Sequence, residues 1–152
     1  MQFPITREGL QNFNREAAQK EKDKQQRYDF YRSLIQDICK DIENGMMPFQ
    51  ILPPNSLDYI RYEAMLRDKQ YIWKDIEILA YWKVCINPYS GMEKYGGAIQ
   101  SYKKGRLRND YSKNTEDFNQ ALPEFIEMLK ETFIGCDIII DPLKTYLIID
   151  WS

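Results

Sequence analysis

Histidine is absent from the 152 residues, and its absence removes several chemistries at once. Ser-His-Asp and Cys-His nucleophile systems are excluded, as are zinc sites that use imidazole ligands. Any general base would have to be Asp, Glu, Lys, Tyr or Cys with a shifted pKa. Cysteine is scarce, with three in all, and Cys39, Cys85 and Cys136 lie far apart without a CxxC pair. Each sits among apolar neighbours, which reads as small buried hydrophobes in a reducing compartment. No apolar run approaches the roughly 20 residues that span a bilayer. The opening residues Met1-Gln2-Phe3-Pro4-Ile5-Thr6 lack the basic-then-apolar order of a signal peptide. There are no internal repeats. The expectation is an intracellular protein with no membrane partner.

Valine is nearly missing too: one residue, Val84, against 18 isoleucines. The two do nearly the same work in a strand, so packing does not explain the ratio. Codon composition does, because Ile, Lys, Asn, Tyr and Phe have AT-rich codons, and Lys outnumbers Arg 13 to 8. The gene therefore comes from an AT-rich genome.

What is present describes a folding chain: 43% apolar, 29% charged, formal charge −2. The length suits one core with an appended arm. Residues 1–27 read as an N-terminal arm and polar helix, and residues 28–152 as a single α+β domain. Phe3, Ile5, Leu10 and Phe13 are apolar residues cut off from the rest by Arg15–Arg27, a run with no large apolar side chain. That run favours helix by composition, and Glu16 and Lys20 form a supporting i,i+4 pair. Apolar anchors on such an arm are what a segment needs to dock on another subunit; folding back onto its own domain is the alternative.

Tyr31, Leu34, Ile35, Ile38 and Ile42 recur at helical spacing, and Asn44-Gly45 reads as the stop. One helix from about Arg7 to Glu43 is expected. Met46–Pro54 reads as a short strand and turn, with Phe49 and Ile51 on one face. Ser56 is the N-cap of a second helix carrying Tyr59, Ile60, Tyr62, Met65 and Leu66. Ile76, Ile78, Ala80, Trp82, Val84 and Ile86 alternate with other residues, which predicts a strand over Ile76–Ile86. Pro88–Lys113 reads as a long loop. The last helix opens at Asn114-Thr115, buries Phe118, Leu122, Phe125, Ile126 and Leu129, and ends at Gly135, with Pro123 as a start or a kink. Cys136–Ile140, a turn at Asp141-Pro142-Leu143-Lys144, and Thr145–Trp151 predict a hairpin. The fold class is α+β: about three helices on a small, mostly antiparallel sheet that ends in the C-terminal hairpin.

Two sites compete with the arm. Lys94, Lys103, Lys104, Arg106 and Arg108, interleaved with Tyr95, Tyr102 and Tyr111, suit single-stranded nucleic acid, where phosphates meet cations and bases stack on rings. The acidic overall charge argues against a dedicated nucleic-acid binder, and an ordinary solvated loop is the plainer reading. Asp137 and Asp150 come close if the hairpin forms, as a Mg²⁺ pair would require, although strand-end and turn roles are the commoner use. Asp37, Asp41 and Glu43 read as the polar side of the first helix. Gly96-Gly97 lacks any phosphate-loop context.

The helix closing on Asn44-Gly45, the capped second helix and the hairpin closing on Ile149-Asp150-Trp151-Ser152 resemble small uncharacterised accessory and virion proteins of large AT-rich DNA viruses. The resemblance covers Tyr31–Gly45 and the C-terminal helix and hairpin, and it implies no catalytic residue. The expected function is a non-enzymatic interaction subunit of a larger assembly, a viral minor structural component without metal or cofactor. It would bind other protein subunits through Phe3, Ile5, Leu10 and Phe13. The alternative is a nucleic-acid-binding accessory protein using residues 94–113.

Overall fold

The computed structural model describes residues 6–47, 51–82 and 115–152. Thr6 caps helix α1 (Arg7–Gln11), its hydroxyl accepting from the Gly9 N–H at 3.0 Å. The chain then turns through Asn12–Asn14 and enters α2 (Arg15–Met46), where the Asn14 side chain accepts from the amides of Glu16 and Ala17. The single helix expected from Arg7 to Glu43 is therefore two. An asparagine side chain that takes up the first free amides of α2 starts a helix there rather than continuing one.

The stripe Tyr31, Leu34, Ile35, Ile38 and Ile42 is the buried face of α2. Gly45 does not stop this helix but lies inside it. A Cβ there would stand 2.5 Å from Met65 Cε and 2.6 Å from Tyr62 Cδ1. The glycine is present so that a second helix can approach. That helix is α3 (Leu57–Asp68), capped by Ser56 as expected, with the Tyr59 amide donating to the Ser56 hydroxyl. Of the strand and turn expected over Met46–Pro54, the described residues show no strand: Met46 is helical, and Ile51–Pro54 carry none and leave Ile51 fully exposed. Phe49 falls outside the described residues.

Lys69, left-handed at φ 54°, ends α3 and turns the chain into β1 (Gln70–Trp73), a strand that no sequence signal announced. Over its described part, the strand predicted for Ile76–Ile86 is instead a 3₁₀ helix over Ile76–Tyr81, residues 83–114 lying outside the described set. Alternation misses Leu79, which is as fully buried as Ile76 and Ile78. A period of three, the 3₁₀ repeat, puts Ile76, Leu79 and Trp82 on one side.

Helix α4 (Thr115–Thr132) runs through Pro123 and buries Phe118, Ala121, Leu122, Phe125 and Leu129 on both sides of it. Gly135, at φ +83°, lies in the turn that follows. The hairpin forms as predicted, β2 (Asp137–Ile140) with β3 (Leu147–Asp150). Asp141 builds its turn: its carbonyl accepts from the Lys144 amide at 2.8 Å and its carboxylate from Thr145. The sheet order is β1-β3-β2, antiparallel throughout. Tyr71, Trp73, Leu147 and Ile149 point inward and meet α2, α4 and the 3₁₀ helix, with Trp73 and Phe125 ring centroids 4.9 Å apart. The fold is α+β. No helix among the described residues is long and apolar enough to cross a membrane.

Candidate interaction surface

Two carboxylate networks fix α2 in the fold and define where it leaves the core. Along α2 the first buried residue is Arg27. Its Nε and Nη2 donate to both oxygens of Glu124 on α4, at 2.8 and 2.9 Å, while the guanidinium lies 5.3 Å from the Trp82 ring centroid. Tyr31 donates its hydroxyl to the same carboxylate at 3.1 Å. Burial pushes the Glu124 carboxyl up, but the hydrogen bonds and charge of Arg27 outweigh it and hold the group below its ordinary range. Burial, and then the nearby Glu124 charge, raise the Tyr31 phenol well above its ordinary value, so it stays a donor.

The second network lies about one and a half turns from the other end of α2. Asp41 accepts from Arg61, from Tyr62 at 2.9 Å and from Tyr71 at 2.7 Å, joining α2 to α3 and β1. Burial again raises this carboxyl, and the three donors bring it below its ordinary range. Each carboxylate is filled by one arginine and tyrosine hydroxyls, an arrangement that stabilises the ionised acid. It holds elements together rather than preparing a base for proton transfer. The sequence reading placed Asp41 on the solvated side of the helix and Arg27 at the end of the polar run; the structure makes both of them tertiary anchors. Neither role has a local signal, because the partners are 97 residues away for Arg27 and 20 to 30 away for Asp41.

N-terminal to Arg27, α2 continues for about 18 Å from Arg15 to Gln26 with no buried residue, Asp23 and Gln26 being half-buried and the others exposed. At its far end Leu10 and Phe13 are 56% and 52% exposed. A shallow hollow beside Phe13 is lined by Arg15, Ala18, Gln19 and Lys22. Phe3 and Ile5 lie outside the described residues, as do Lys94, Tyr95, Tyr102, Lys103, Lys104, Arg106, Arg108 and Tyr111. The loop expected at Pro88–Lys113 is outside them as well.

The other sequence candidates carry less. Asp137 and Asp150 do face each other across the hairpin. Asp150, however, accepts from the Ser152 amide and hydroxyl at 2.8 and 2.6 Å, and among the described residues no group of three or more acids or cysteines could hold a metal ion. Cys39 and Cys136 are half-buried free thiols, and burial, with the nearby Glu43 charge, raises that of Cys39 and so favours its protonated form. Cys39 lies with Ile35 and Met128 in a shallow groove of about 570 Å³ between α2 and α4.

Compared with protein-family models, curated proteins and solved structures, the chain has no match.

Proposed function

We propose that the chain is a non-enzymatic interaction subunit of a larger assembly, docking on its partner through the N-terminal arm. The supporting observation is the segment that leaves the core at Arg27: two turned helical pieces, polar along their length, ending in the exposed side chains of Leu10 and Phe13. A helix polar all round gains nothing by packing on its own domain, so the apolar anchors it carries are free to bury surface elsewhere. Burying the exposed halves of Leu10 and Phe13 contributes about 1.5–3 kcal/mol before association costs. A minor structural component of a virus particle is the form of assembly we favour, on the residue usage and the resemblance alone.

The test removes residues 1–13, which spares the Asn14 cap, or introduces Leu10→Asp with Phe13→Asp. Thermal unfolding should stay within about 2 °C of the parent, since exposed substitutions move stability by about 0.5 kcal/mol or less. Partners captured after nuclease treatment should be lost. Partners retained without the arm would refute the reading. Partners that vanish with nuclease alone would transfer the function to the basic segment at residues 94–113.

A further inference from the structure

The outer face of the sheet is unlike the inner one. The register sets Ile72, Ile148 and Ile139 side by side across all three strands, and Ile72 and Ile139 are 48% and 46% exposed. The next row along is Gln70, Asp150 and Asp137. Two like charges directly opposite on neighbouring strands are unfavourable. Among the described residues no cation pairs with either, the donors to Asp150 being Gln70 and Ser152. An apolar row edged by uncompensated negative charge repels nucleic acid and anionic lipid and suits an apolar segment flanked by cations.

The arm has that chemistry. Arg7 and Leu10, three residues apart, share a face of α1, and Glu8 falls on the opposite side. Arg15 lies two residues beyond Phe13, and among the described residues neither arginine has an ion-pair partner. Leu10 and Phe13, both more than half exposed, lie far from the Tyr71 end of their own sheet. Tyr71 of β1 is tied to Asp41, and roughly 40 Å of continuous helix separates Asp41 from Asn14, while Leu10 extends at most about 14 Å from Asn14.

We propose that the arm of one copy docks on the outer sheet face of a second copy, with Leu10 and Phe13 over Ile72, Ile148 and Ile139. The inference rests on the docking-arm reading and names its partner. Because the two patches differ and every copy carries both, the contact is head-to-tail and can repeat until a ring closes.

Sedimentation of the full chain across a wide concentration range tests it, with two variants each lacking one half: Leu10→Asp/Phe13→Asp, and Asp137→Lys/Ile139→Lys. The parent should grow beyond a dimer with concentration, each variant alone should stay monomeric, and their equimolar mixture should form a one-to-one dimer that grows no further. If Ile139→Lys unfolds the sheet, Asp137→Lys alone at its exposed position should weaken association several-fold, and Arg7→Glu in the other copy should restore it. A parent that is monomeric throughout, or a mixture that stays monomeric, would overturn the proposal. A monomeric parent that still loses an outside partner on deletion of residues 1–13 would leave the docking arm intact and remove the second copy as its target.

Discussion

Breaking the Arg27–Glu124 pair should cost far more than breaking an ordinary surface ion pair, because it sits where α2 enters the core. The Arg27 side chain is 9% exposed and that of Glu124 22%, with two parallel N–H···O bonds and the Tyr31 hydroxyl on the same carboxylate. Glu124→Ala leaves a guanidinium buried against Trp82 without an anion and a fully buried tyrosine hydroxyl without its acceptor. Isolating one member of a buried pair costs about 3–5 kcal/mol, and the partial exposure of Glu124 brings the expectation to about 2–4 kcal/mol. Arg27→Met alone should cost about 2 kcal/mol, since the remaining carboxylate keeps Tyr31 and some water. The double variant Arg27→Met/Glu124→Ala buries no unpaired charge but still leaves the Tyr31 hydroxyl without its acceptor, and should cost about 2 kcal/mol. Urea unfolding of the four proteins gives the coupling energy, expected at about 2–4 kcal/mol against 1 or less for an exposed pair.

The pH dependence carries the same information. The folded pKa of Glu124 lies below its unfolded value, so its contribution is complete above about pH 4.3 and disappears as pH falls through the folded pKa. The parent should lose its advantage over Glu124→Ala in that acid window. A coupling under about 0.5 kcal/mol, or an advantage unchanged by acid, would refute the argument that this pair anchors α2.

Three further outcomes follow from the packing and the backbone. Gly45→Ala should destabilise by about 1 kcal/mol in thermal unfolding, because displacing the Tyr62 ring and Met65 outweighs the helix gain of about 1 kcal/mol from replacing glycine. Lys144 is left-handed at φ 56° in an exposed turn, so Lys144→Gly should raise stability by about 0.5–1 kcal/mol and Lys144→Ile should lower it. Asp41→Asn should cost about 2–3 kcal/mol in urea unfolding by weakening the acceptor for Arg61, Tyr62 and Tyr71, and should remove an acid-labile contribution, since Asp41 is held below its ordinary range.

Much of the fold was legible where one local pattern decided the outcome. The stripe from Tyr31 to Ile42, the Ser56 cap and the hairpin around Asp141-Pro142 each carry their own periodicity or turn chemistry. β1 was not legible, because four residues after a helix become a strand only by pairing with β3, which lies some 80 residues later. Ile76–Tyr81 misled because alternation over a few residues is also compatible with a 3₁₀ turn buried on several sides. Gly45 was legible as a glycine with a purpose, but its purpose is a close approach by Tyr62 and Met65, which only the packed helices reveal. Of the candidate site, Leu10 and Phe13 were visible as anchors cut off by a polar run. The isoleucine row on the outer sheet face was hidden, since which alternate isoleucines face outward depends on the register.

The central claim is that α2 carries no buried residue before Arg27. Amide hydrogen exchange along α2 in dilute protein tests this most directly. The account predicts rapid exchange over residues 15–26, where each helical bond opens without losing a buried contact, and strong protection over residues 30–42. Equal protection of both segments in the monomer would show that the polar half is packed, and would contradict the account.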